Sequence, residues 1–136
     1  MAALSAIAAD SPVPVAVELD PGIDGAVPSE IARAIYFVAA ELVTNVVKHS
    51  RASAATMKAA LTRTATGRPT ALDLWVVDNG RGGALPSAGH GLDGLQDRVA
   101  GLRGRMAVQS PAGGPTTVGV HVPLPEASES AAARRA

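Results

Sequence analysis

The sequence predicts an α/β (α+β) two-layer sandwich: one mixed, mostly antiparallel sheet with helices packed on one face. Three observations predict it. Apolar residues recur with period two or with the helical period in the order strand, helix, two strands, loop, helix, two strands. The strands between helices come in pairs joined by short turns, the pattern of hairpins. And 47% of the 136 residues are hydrophobic while 2% are aromatic, so the buried layer between sheet and helices must be built from Val, Leu, Ile and Ala.

Val13, Val15, Val17 and Leu19 alternate with Pro14, Ala16, Glu18 and Asp20, a strand with one buried face, and Pro14 assigns it to an edge or a strand start. Pro21-Gly22 breaks the chain. Pro28-Ser29-Glu30 opens a long helix over Ser29 to His49. Ala54 to Thr62 reads as a strand, Thr64 to Thr70 as a polar turn, and Leu72, Leu74, Val76 and Asp78 as one face of the next strand. Asn79 to His90 is a glycine-rich loop. Leu92, Leu95, Val99 and Leu102 then mark an amphipathic helix, which Gly104 is expected to end. Met106 to Gln109 is a short strand, Pro111 to Pro115 a turn, and Val118, Val120 and Val122 the last strand. The expected organisation is a linker or upstream-helix remnant over 1–12, one folded domain over 13–124, and a disordered tail over 125–136, rich in Ala, Ser, Glu and Arg.

Composition excludes several functions. The formal net charge is zero, so no basic field draws in nucleic acid or an anionic membrane. There is no cysteine, hence no disulfide, thiolate metal site or cysteine nucleophile. The most apolar stretch, Ile31 to Val47, is interrupted by Arg33, Glu41 and Asn45, which rules it out as a membrane span. Met1 to Ala9 lacks the positive start of a signal peptide. A cytoplasmic location is expected, either alone or as the cytoplasmic part of a membrane-bound sensor.

Three constellations carry chemistry. In Glu41-Leu-Val-Thr-Asn45-Val-Val-Lys48-His49 the polar residues stand three and four apart, so on a helix they form one stripe beside the apolar face. An acid, an amide and a base at the edge of a core suit a hydrated metal on a phosphate chain. Salt bridges on a solvated helix border are the simpler reading. Asp78 closes a strand on the same face as Leu72, Leu74 and Val76, which turns its carboxylate toward the apolar layer. It can cap its own turn or accept from an exocyclic amine such as that of adenine, with Gly80 and Gly82 letting a flat ligand approach. Gly89-His90-Gly91-Leu92, at a helix start, offers N–H groups and a dipole to an anion. Trp75 faces away from Asp78 and reads as packing, His121 as a strand surface residue, and Arg81 as a loop charge.

Taken in this order, and followed by Thr116 on the final strand, these motifs resemble the ATP-binding domain of two-component sensor histidine kinases. That domain is HATPase-type, with the Bergerat-type fold of the superfamily shared with gyrase-type ATPases. The resemblance covers residues 13 to 124. Glu41 to His49 resembles the family's N box, Asp78 to Gly82 its first glycine box, and Gly89 to Gly104 its second. The last run is similar to the subgroup paired with helix-turn-helix response regulators. The resemblance implies ATP and Mg²⁺ as cofactors. It implies that Asn45 coordinates Mg²⁺, that Glu41 acts beside the γ-phosphate as base or orienting group, and that Lys48 and His49 face the phosphates. It further implies that Asp78 accepts from the adenine amine, that Gly80 and Gly82 shape the pocket, that Gly89, His90, Gly91 and Leu92 close its phosphate end, and that Thr116 sits near an adenine-bound water.

The chain departs from the family at Pro115, where a glycine usually precedes the threonine, and in a short loop from Gly83 to Gly89 with no phenylalanine-bearing lid. A histidine kinase also needs a phosphoacceptor histidine followed by an acid, whereas His49, His90 and His121 are followed by Ser50, Gly91 and Val122. The expected function is therefore that of the catalytic module of a protein histidine kinase. It would donate the γ-phosphoryl group to a histidine on a separate dimerisation domain, with a response regulator downstream. Alone it would be monomeric and at most a slow ATPase. Two rivals share the motifs: a stand-alone anti-sigma-factor serine kinase and a non-catalytic ATP-sensing module.

Overall fold

The computed structural model describes residues 2–82 and 92–125. In chain order they form α1 (Ala2–Asp10), β1 (Val15–Leu19), a one-turn α2 (Ile23–Ala26) and α3 (Ser29–Asn45), which runs on as a single π-turn (Val46–Ser50). Then come β2 (Ala55–Arg63), β3 (Pro69–Asp78), α4 (Leu92–Gly101), β4 (Arg105–Gln109) and β5 (Thr116–Pro123).

The five strands make one sheet in the order β1-β2-β3-β5-β4. β1 is parallel to β2 and every other neighbouring pair is antiparallel, which is the mixed, mostly antiparallel sheet that the pairing of strands predicts. β1 is an edge strand and begins just after Pro14, whose carbonyl accepts from the Ala55 N–H. Proline has no N–H to give a ladder, so a strand start at an edge suits it.

Alternation decides which face is covered. Ala55, Met57 and Ala59 on β2, Leu72, Leu74 and Val76 on β3, and Val118, Val120 and Val122 on β5 are buried together. Against them pack Ile35, Val38, Ala39, Leu42 and Val43 of α3 and Leu92, Leu95 and Val99 of α4, each set at the helical period that presents one stripe to a sheet. The opposite face of the sheet carries Trp75, with Lys58 Nζ 5.9 Å from its ring centre, and His121, whose Nδ1 lies 2.6 Å from Asp73 Oδ1. No described helix is long and apolar enough to cross a membrane.

The segment before residue 13 is helical, and its Leu4 is fully buried in the common core, with α1 packed on α3 and β1. One local feature differs from expectation: the helix α4 is ended by Arg103 rather than by Gly104. Arg103 takes the left-handed conformation, with φ of 61°, its N–H bonds Ala100 O, and the Gly104 N–H bonds Val99 O. This is a Schellman motif with arginine in the position glycine usually holds. Gly104 is one residue further on, where the chain passes close to the carbonyl of His121 on β5.

Candidate functional site

The end of α3 and its π-turn, the end of β3, the start of β5 and the start of α4 surround one cavity. Its walls include Asn45, His49 and Ser50 from the helix, Asp78, Arg81 and Gly82 from the β3 end, Leu92 from α4, and Thr116 from β5. Leu42, Val46, Val76 and Val118 supply apolar walls. The cavity holds about 140 Å³. That is below the roughly 300–1,000 Å³ of a pocket that engulfs a drug-sized ligand, so the described walls can enclose only a small molecule or a small part of a larger one.

Asp78 and Thr116 make its polar floor. They are directly opposed across the β3–β5 ladder, and are 5% and 8% exposed. Asp78 Oδ1 accepts from the Gly80 N–H at 2.7 Å. Burial pushes its carboxyl above the ordinary carboxylate range, and the Gly80 bond draws it part of the way back. Asp78 thus caps its own turn, as one reading of the sequence has it, and also lines the cavity. A carboxylate has two oxygens, so it can cap its own turn and still line the cavity. The Thr116 hydroxyl lies 2.6 Å from that of Ser110. Thr116 enters the ladder in register with Pro115 before it, so proline at that position leaves the floor intact.

Close backbone contact fixes the glycine turn. The Arg81 N–H donates to Ser50 O at 2.8 Å, and the Gly113 N–H donates to Arg81 O at 2.7 Å. A Cβ at Gly80 would collide with the carbonyl of Ser50, and one at Gly82 with the carbonyl of Pro111. Gly82 also has a positive φ of 67°, which glycine adopts without steric cost. Asn79 anchors the other side, its Oδ1 accepting from the Ser53 and Ala54 N–H groups at 2.9 and 3.1 Å.

The polar helix stripe is only partly brought to the cavity. Asn45 and His49 line it, whereas Lys48 and Glu41, one turn before Asn45, are not among its walls; Glu41, Lys48 and His49 are all exposed. The π-turn accounts for Lys48. With more residues per turn than an α-helix, each residue from Val46 onward advances by a smaller angle. Three residues past Asn45 then falls short of the stripe, while four, at His49, stays near it. Gly80 lies behind the floor, against Ser50. Gly89, His90 and Gly91 lie outside the described residues. Sequence reasoning missed Ser50 and Arg81 as wall residues. Arg81 was legible only as the residue between two pocket glycines. Ser110 carried no sequence signal, because its contact depends on β5 returning beside β4.

Among the described residues no group of three or more His, Asp or Glu side chains is placed to hold a metal ion. A divalent cation here would depend on Asn45 together with ligand phosphates and water. That is the habit of Mg²⁺, which keeps several waters and takes few protein ligands.

No protein-family model matches the chain, and no curated protein does. Solved structures do. The Erythrobacter litoralis EL346 blue-light activated histidine kinase matches with TM-score 0.72 and 26% identity over 94% of this chain and 41% of that one. ShkA full-length, in complex with AMPPNP, matches with TM-score 0.68 and 17% identity over 93% of this chain and 30% of that one. The Acinetobacter baumannii histidine kinase AdeS matches with TM-score 0.62 and 14% identity over 92% and 61%. This chain therefore spans less than two thirds of each of these chains. Its fold is that of an HATPase-type histidine kinase domain.

Proposed function

We propose that the chain is the Mg·ATP-binding catalytic module of a sensor histidine kinase, passing the γ-phosphoryl group to a histidine on a separate dimerisation domain in two-component signalling. The observation that carries the reading is the pair Asp78 and Thr116, two buried polar side chains at the floor of an apolar cavity with an amide and an imidazole on its helical wall. The likeness to histidine kinase domains, one of them in complex with AMPPNP, supports it.

In this reading Asp78 accepts from the adenine amine and rejects a base that presents a carbonyl there. Leu42, Val46, Val76 and Val118 bury the ring faces. Gly80 and Gly82 keep the turn tight enough for the base to enter. Asn45 offers its amide oxygen to Mg²⁺, and the ion, when bound, offsets charge on the phosphate oxygens. His49, Lys48 and the segment of Gly89, His90, Gly91 and Leu92 serve the phosphate end. Glu41 orients the incoming imidazole or takes its proton. The rest is positioning, as in phosphoryl transfer generally. The partners are the dimerisation and phosphoacceptor domain and, through it, a response regulator. The isolated chain is monomeric, binds no nucleic acid, and works in the cytoplasm.

Calorimetric titration with Mg·ATP tests this, with GTP as control. Binding of ATP that is absent with GTP and lost in Asp78→Ala supports the reading. No binding by the native chain at millimolar ATP rejects it.

A further inference from the structure

Ser110 is used by nothing in the reading above, yet it touches the floor of the cavity through one short contact. Its hydroxyl and that of Thr116 are 2.6 Å apart, so one donates to the other. Each hydroxyl has one proton and two lone pairs. If Thr116 donated to Ser110, its only proton would be spent, and the cavity would face two acceptors side by side, the Asp78 carboxylate and the Thr116 oxygen. Adenine presents a donor, its amine, next to an acceptor, its ring nitrogen N1. Two adjacent acceptors mismatch that edge.

We infer that Ser110 is a positioning residue that donates to Thr116, and so fixes the Thr116 hydroxyl as a donor toward N1 of the base. This rests on the adenine reading of the pocket. Asp78 then accepts and Thr116 donates, the complement of the adenine edge. The opposition of Asp78 and Thr116 across the ladder keeps the two groups beside one another, and Ser110 reaches Thr116 because β4, which it follows, pairs with β5.

The test compares the affinity of the chain for Mg·ATP with that for Mg·1-deaza-ATP, in which N1 is replaced by C–H. The native chain is expected to prefer ATP by about five- to tenfold, the worth of one net hydrogen bond. Ser110→Ala is expected to lower that ratio severalfold, and Ser110→Thr to keep it. In Thr116→Val the ratio falls near one, and adding Ser110→Ala changes it no further, because Ser110 acts through Thr116. Ser110→Cys, a weaker donor, reads the same bond should the alanine variant fail to fold. Equal weakening of both nucleotides by Ser110→Ala, or a Ser110 effect that persists in Thr116→Val, overturns the inference. So does a native ratio near one with ATP still bound, which leaves the adenine reading standing. Absence of ATP binding by the native chain overturns both.

Discussion

Asp78 and Thr116 stand opposite one another in the β3–β5 ladder, and among the described residues they are the two buried side chains that are polar. Every other buried position of the sheet face is apolar. Burial of the Asp78 carboxylate opposes its ionisation and so is a cost to folding, which a ligand donor would offset.

Replacement of Asp78 by asparagine should therefore separate stability from binding. Asn keeps an acceptor for the Gly80 N–H and removes the buried charge. The folded-state pKa of Asp78 is raised, so ionisation opposes folding: this carboxyl stabilises the fold at low pH, and that contribution is lost as pH rises through the raised pKa. At neutral pH Asp78→Asn is expected to melt no lower than the native chain, with its advantage shrinking as the buffer is made acidic. ATP affinity should fall by about ten- to a hundredfold, the range for a hydrogen bond to a charged group. Thermal melts across pH and calorimetry check the two halves. A lower melting point at neutral pH would refute the first.

Gly80→Ala should destabilise the fold. The added methyl meets the Ser50 carbonyl and the Ser50 Cβ, and the Arg81 to Ser50 hydrogen bond holds those backbones together. Overpacking of this kind costs about 1–3 kcal/mol, read as a lower urea midpoint. Gly94→Ala, where a Cβ meets nothing within 4 Å, is the control and should leave the midpoint unchanged or raise it.

On the helical wall, the structure ranks the polar residues. Asn45 and His49 line the cavity and Lys48 does not. Mg·ATP affinity should drop more in Asn45→Ala and His49→Ala than in Lys48→Ala, and Asn45→Ala should flatten the dependence of binding on Mg²⁺ concentration. A Lys48→Ala loss larger than the other two would mean that the π-turn does not set which residue faces the phosphates.

Leu4→Ala should cost about 2–5 kcal/mol, as for a fully buried leucine, since Leu4 is 0% exposed. Denaturant melts measure it. A change below about 0.5 kcal/mol, typical of a surface site, would show that α1 is dispensable to the domain.

The sheet, both long helices and the Asp78 turn were legible because each is written in local periodicity: alternation on β2, β3 and β5, and three-four spacing on α3 and α4. The displacement of Lys48 was not, because a π-turn leaves no mark in apolar spacing. Nor was the C-terminal stop of α4, where Arg103 occupies a conformation that favours glycine. The burial of Leu4 depends on α1 folding back onto α3, a long-range contact. Arg81, Ser50 and Ser110 became site residues only through backbone and side-chain contacts between segments thirty or more residues apart, or between strands joined by a turn whose path no residue pattern specifies.

The chain of backbone bonds through Arg81 has a dynamic consequence. Ser50 closes the π-turn after α3, Arg81 lies in the turn after β3 and Gly113 in the turn between β4 and β5, yet Arg81 gives its N–H to the first and its carbonyl to the last. Neither outer segment can peel away without exposing an amide, that of Arg81 if Ser50 leaves and that of Gly113 if the β4–β5 turn leaves. The amides of Arg81 and Gly113 should then exchange with solvent deuterium as one opening unit rather than at independent loop rates. A ligand seated on the Asp78 floor should slow both by the same factor.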